Sequence, residues 1–127
     1  MGRILLIEDD EIMQKVVEKI LLREGFTVDV ARNGKEGLQK LEENNYNYNM
    51  MITDIMMPYA NGFEIISKVK TEAKGNGIPV IIISSVGNED SVLEGFKLGA
   101  DDYLKKPIMA GELILRVKRL LTRRQIN

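Results

Sequence analysis

Three short, largely apolar runs, Ile4–Ile7, Met50–Thr53 and Val80–Ile83, constrain this chain more than any other feature, and each stops at a polar residue: Glu8, Asp54 and Ser84. A strand with one wet face alternates apolar and polar residues, whereas a strand covered on both faces reads as a continuous run. These runs therefore predict interior strands of a parallel sheet. Thr27–Ala31 and Asp102–Lys105 are two weaker strand candidates.

Between the runs the period becomes helical. Ile12, Val16, Val17, Ile20 and Leu21 recur at helical steps, and Gly25 closes that helix. Leu38 and Leu41 mark a second helix over Gly34–Leu41. Ile65, Ile66 and Val69 mark a third, ahead of the Lys74-Gly75-Asn76-Gly77 loop. Val92, Leu93, Phe96 and Leu98 mark a fourth, ended by Gly99, and Leu113, Ile114, Val117, Leu120 and Leu121 a fifth. The polar Asn44–Asn49 stretch reads as a loop anchored by Tyr46 and Tyr48. Strands alternating with helices predict an α/β fold, a doubly wound parallel five-stranded sheet. A chain of 127 residues suits one such domain, and no linker or repeat interrupts it.

Composition removes several function classes. With no cysteine and no histidine, disulfides, thiol chemistry, His/Cys zinc sites, Ser-His-Asp catalysis and a phosphohistidine-carrier role are all excluded. Net charge is -1, so nothing at the level of the whole chain suggests contact with nucleic acid or a membrane. The basic residues Arg116, Lys118, Arg119, Arg123 and Arg124 read as a solvated face of the last helix. The apolar run near Met1 is too short for a signal peptide or a span, and Leu6 stands where a myristoylation signal needs a hydroxyl residue. The expectation is a cytoplasmic protein.

In a parallel α/β sheet, ligands sit beyond the carboxyl ends of the strands. At that edge the sequence gathers Glu8-Asp9-Asp10, Asp54, Ser84-Ser85 and Lys105-Lys106-Pro107. Converging carboxylates repel one another and call for a cation. An oxygen-only set of this size suits Mg²⁺. A lysine and a hydroxyl beside it can hold phosphoryl oxygens. Carboxylate nucleophile, metal, lysine and hydroxyl are together the parts of phosphoryl transfer to an aspartate. Alternation along a strand allows only one of Lys105 and Lys106, and one of Ser84 and Ser85, to face the pocket. Asp10, directly before a helix, also fits an N-cap.

Four segments carry a family resemblance: Ile4-Leu-Leu-Ile-Glu-Asp-Asp10, Met51-Ile-Thr-Asp-Ile-Met-Met-Pro58 with Asn61-Gly62, Pro79-Val-Ile-Ile-Ile-Ser-Ser85, and Gly99-Ala-Asp-Asp-Tyr-Leu-Lys-Lys-Pro107. In this order, over nearly the whole chain, they resemble the receiver domains of two-component response regulators. The resemblance implies a flavodoxin-like fold with strand order 2-1-3-4-5 and a single receiver domain over residues 1–127. It implies that Asp54 is the phosphoryl acceptor and that Mg²⁺ is held by Glu8, Asp9, Asp54 and the backbone carbonyl of Met56. Lys106 is then the phosphate-binding lysine, preceding a cis peptide to Pro107. Ser84 is the switch hydroxyl and Tyr103 the switch aromatic.

The partners implied are a sensor histidine kinase or phosphotransfer protein, and an output protein or domain that reads the fourth helix, fifth strand and fifth helix. No nucleic-acid or membrane contact is expected of this domain. The only reactions expected of it are its own phosphorylation and slow dephosphorylation. Met56 and Val86 are apolar where many receivers carry polar residues that guide water, which is why the dephosphorylation is expected to be slow. Gly99-Ala-Asp-Asp-Tyr-Leu resembles a winged-helix subgroup that dimerises through this surface. That subgroup usually has Lys or Arg where this chain has Val92, so a homodimer would lack one intersubunit salt bridge.

Three other readings share the pattern. The chain could be the receiver portion of a larger regulator with a DNA-binding or enzymatic output domain. A flavodoxin-like electron carrier needs a Ser/Thr/Gly phosphate loop after the first strand, where this chain has three acids. An aspartate-nucleophile phosphatase wants a second acid two residues after the nucleophile, where Met56 stands.

Overall fold

The apolar runs become strands because each has two faces to bury. The computed structural model describes residues 2–57, 61–85 and 87–126, with side chains of the last helix described to residue 122. Val86, on which one sequence expectation rests, lies outside the described residues, as do Pro58 and Asn127. The strands are β1 (Arg3–Ile7), β2 (Thr27–Ala31), β3 (Met50–Thr53), β4 (Val80–Ser84) and β5 (Asp102–Lys105). They pair in parallel in the order β2-β1-β3-β4-β5. The register sets Ile7 beside Thr53 and Ser84 beside Lys105, so the strand ends that carry Glu8, Asp54 and Ser84 share one edge.

Alternation along the strands divides the core in two. Leu5, Ile7, Met51, Val80 and Ile82 meet Leu41 of α2 (Gly34–Glu43) and Ile65, Ile66 and Val69 of α3 (Gly62–Thr71). Ile4, Leu6, Met50, Ile52, Ile81 and Ile83 meet Val17 and Leu21 of α1 (Glu11–Arg23) and Leu113 and Val117 of α5 (Ala110–Ile126). Each such aliphatic side chain, fully removed from water, contributes on the order of 1.5–3 kcal/mol. The weaker segments β2 and β5 lie at the sheet edges, which is why their sequences are less apolar.

Local chemistry fixes the helix ends. Asp10 caps α1 by accepting from Ile12 N at 3.0 Å, and Asn33 caps α2 by accepting from Glu36 N at 2.8 Å. Asn61 and Glu64 form a capping box at the start of α3. Gly25 and Gly99, at φ 90 and 111, take the left-handed conformation just past α1 and α4 (Glu89–Lys97). Tyr46 and Tyr48 anchor their loop as expected. The Tyr46 hydroxyl donates to Glu42 at 3.0 Å, and the Tyr48 hydroxyl donates to Asp29 at 2.8 Å. Burial and those carboxylates push the Tyr46 phenol up to about 12.

Two features differ from the sequence pattern. In α4 the marking residues Leu93 and Phe96 are 53% and 44% exposed. The helix meets the sheet through Gly95, where an added Cβ would lie 2.5 Å from Ile82 Cδ1. At about 100° per residue, positions 93 and 96 then turn away from the sheet. The basic end of α5 is also more than a solvated face. Arg116 holds Asp102 with two 2.9 Å hydrogen bonds, and Lys118 pairs with Glu24 of α1 at 2.7 Å. Arg123 and Arg124 have side chains outside the described residues.

Candidate functional site

Asp54 follows β3 and is held from several sides. Its N–H donates to Ile7 O at 3.0 Å, Ile55 N donates to Oδ1 at 2.7 Å, and the Thr53 hydroxyl donates to its carbonyl at 2.9 Å. Gly62, the first residue of α3, donates its N–H to Ile55 O at 2.8 Å. A Cβ on Gly62 would run into the Asp54 carbonyl oxygen, so glycine is required for α3 to start this close.

Glu8 follows β1 and has no solvent exposure, whereas Asp9 beside it is exposed. Asp10 N donates to Glu8 Oε2 at 3.1 Å, and the Gln14 amide donates to the Glu8 carbonyl at 2.6 Å. Gln14 lies on the first turns of α1 with nothing in its sequence setting to announce the contact. Carboxylate oxygens of Glu8, Asp9 and Asp54 come within 4.8 Å of one another. Three hard oxygen donors from two strand ends, at this spacing, fit a divalent cation such as Mg²⁺. Glu8 Oε1 fits the same purpose, since it is buried with no hydrogen-bond donor and only the Lys106 charge beside it.

Of the two adjacent lysines it is Lys106 that enters the pocket. Its ammonium is 2.7 Å from Glu8 Oε1 and 3.0 Å from Asp54 Oδ2, and the Lys106–Pro107 peptide is cis. Lys105 stays exposed. Burial pushes the Glu8 carboxyl up to about 7, and Asp54 adds to the rise while Lys106 and the Asp10 N–H oppose it. For Lys106, burial acts downward, but Glu8 and Asp54 outweigh it and hold the ammonium above its usual range.

Ser84 is fully buried at the end of β4 while Ser85 is exposed. Tyr103 on the neighbouring β5 is half-buried against the α2–α3 side of the core and shares a hydrogen bond with Ser84. Burial raises the Tyr103 phenol, the Ser84 bond lowers it, and the Asp54 charge adds to the rise. The structure thus brings Glu8, Asp9, Asp54, Ser84, Tyr103 and Lys106 to one edge. Met56 is different, with a side chain 66% exposed and not packed in the loop.

A doubly wound sheet with carboxylates, a lysine and a buried hydroxyl at its carboxyl edge defines a flavodoxin-like α/β protein of the two-component signalling type. The chain belongs to the response regulator receiver domain family, whose model matches residues 4–118. It is 38% identical over 123 residues to a transcriptional regulatory protein, the CpxR homolog of Haemophilus influenzae, covering 97% of this chain and 52% of that one. The chain spans about half the length of curated relatives of this kind. A CheY-like receiver domain protein from Methanospirillum hungatei superposes with a TM-score of 0.90 at 28% identity, covering 98% of this chain and 97% of that one. CheY of Borrelia burgdorferi, solved as a complex with CheX, BeF3 and Mg²⁺, superposes with a TM-score of 0.86 at 28% identity, covering 93% and 87%. Among the described residues no helix is long and apolar enough to cross a membrane.

Proposed function

We propose that this chain is a cytoplasmic signalling switch, a receiver unit over residues 1–127 turned on when Asp54 accepts a phosphoryl group from a histidine kinase or phosphotransfer protein. The observation that carries the reading is the Lys106 ammonium set between Glu8 and Asp54, 3.0 Å from the Asp54 oxygen. An Asp54 oxygen forms the new O–P bond as the P–N bond of phosphohistidine breaks and its electron pair leaves on the imidazole. Lys106 follows the developing negative charge on the phosphoryl oxygens, and the fixed backbone around Asp54 holds the nucleophile in line. Glu8, Asp9, Asp54 and the Met56 carbonyl would hold Mg²⁺, which when bound supplies positive charge to those same oxygens.

The modification adds roughly 1.5 to 2 negative charges at Asp54. Ser84 turns its hydroxyl toward the new oxygens, and its bond with Tyr103 is exchanged. Tyr103 then settles further inward, and the α4–β5–α5 surface that it borders changes for an output partner. The shared presence of BeF3 and Mg²⁺ in the Borrelia complex supports the same ligand chemistry here. The length of the curated relatives supports a second reading, in which this receiver governs a transcriptional output domain in a longer chain, with or without pairing through α4–β5–α5.

Acetyl phosphate with Mg²⁺, followed by intact mass, tests the central reading. The wild type gains one phosphoryl group, and Asp54→Asn gains none. Absence of the gain, or its survival in the variant, overturns the assignment.

A further inference from the structure

The connection between β4 and α4 carries a contact outside the phosphoacceptor pocket. Lys105 ends β5 and is the register partner of Ser84. Alternation puts it on the face shared by Tyr103, two residues earlier, while Lys106 turns to the carboxylates. The Lys105 side chain bends across the following loop. A Cβ on Gly87 would meet its Cδ at 2.9 Å, its Cε at 3.1 Å and its Nζ at 3.3 Å. Only glycine leaves room at that position for the stem. Among the described residues Lys105 forms no ion pair, so no carboxylate draws it there. Its methylenes lie on bare backbone instead. The loop so covered joins Ser84 to Asn88, the N-cap of α4.

We propose that Lys105 is a positioning residue of the switch: its stem, laid across the Gly87 backbone, retains the β4–α4 loop in the unmodified arrangement and opposes movement of Ser84 toward Asp54. This rests on the reading of Asp54 as phosphoacceptor and Ser84 as the hydroxyl drawn to it. Removing the stem frees the loop, so the modified state forms sooner. The methylenes do this, not the charge.

Rates of Asp54 modification by acetyl phosphate, followed by mass, test it in wild type, Lys105→Ala, Lys105→Met, Gly87→Ala and the Lys105→Ala/Gly87→Ala double variant. Lys105→Ala gains roughly three-fold, the size of coupling expected between residues in contact. Gly87→Ala displaces the same stem and moves the rate in the same direction, and the double variant is no faster than the faster single. Lys105→Met keeps an unbranched stem and restores the wild-type rate, which a merely destabilised protein would not do. Thermal midpoints monitor folding, and if Gly87→Ala fails to fold, the Ala/Met comparison at Lys105 still decides. A wild-type rate for Lys105→Ala, additive single effects, or Lys105→Met as fast as Lys105→Ala overturns the role of the stem alone. A wild type that takes no phosphoryl group overturns the underlying reading and the stem's role with it.

Discussion

Glu8 Oε1 and Lys106 Nζ stand 2.7 Å apart with the carboxyl removed from solvent, yet the attraction does not keep Glu8 acidic. Burial outweighs it and raises the carboxyl from 4.5 to about 7. Between those values the folded state holds the proton more tightly than the unfolded chain. Glu8's contribution to stability is therefore complete below about pH 4.5 and declines as pH rises to about 7, by roughly 3 kcal/mol in the absence of metal. Glu8→Gln mimics the protonated form and removes this term. Urea unfolding at about pH 5 and about pH 8 checks it: wild type and variant match in acid, and the variant gains in base. Because a metal needs the carboxylate, Mg²⁺ binding by the wild type releases a proton near pH 6 and tightens with rising pH, measurable by calorimetry in two buffers.

Lys106 supplies the positive charge that two buried carboxyls share. Lys106→Met keeps the stem but leaves Glu8 and Asp54 facing each other with no counter-charge. Breaking a buried pair by removing one partner costs about 3–5 kcal/mol when both carboxyls must ionise. In acid Glu8 takes up a proton and most of that cost disappears. The variant therefore loses far more stability at pH 8 than at pH 5.5, and it gains phosphoryl groups from acetyl phosphate much more slowly. Equal losses of stability at both pH values would contradict the charge argument.

How far the sequence reveals this site depends on the residue. Met50–Thr53 and Val80–Ser84 are legible because strands covered on both faces have no polar alternation to dilute the signal. The Asp10 cap follows from residue type and place. The choice between Lys105 and Lys106 is only half legible. Strand alternation says that one turns inward, and the family motif, not the local sequence, says which. The outward turn of Leu93 and Phe96 is hidden, since the contact that sets it is made by Gly95, a residue without a side chain. Gln14 and its bond to the Glu8 carbonyl are equally hidden, because a long-range hydrogen bond leaves no periodic trace.

Gly62→Ala sets two known effects against each other. Alanine favours a helix over glycine by up to about 1 kcal/mol. Against that, the new Cβ meets backbone only: the Asp54 carbonyl oxygen, with Ile55 Cα at 2.9 Å and Asp54 C at 3.0 Å. Backbone cannot swing aside as a side chain can, and overpacking costs about 1–3 kcal/mol. The clash wins. The variant unfolds at lower urea, and its Asp54, shifted from its place after β3, is modified more slowly. An unchanged urea midpoint would show that α3 has room to retreat.

Met56 leaves the mouth of the pocket without a group that can hold water in line with phospho-Asp54. Its side chain is 66% exposed two residues beyond Asp54, and a thioether is only a weak acceptor with no proton to give. Water that attacks the acyl phosphate therefore arrives unoriented, and the phosphorylated chain should persist well beyond seconds. Met56→Asn adds both a donor and an acceptor at that spot. Orientation of one water is worth roughly ten-fold in rate here, a small part of what full positioning can give. Mass spectrometry of the purified phosphoprotein after removal of acetyl phosphate gives the decay directly. A wild-type lifetime of seconds, or an Asn variant that decays no faster, would mean that some other group already orients the water.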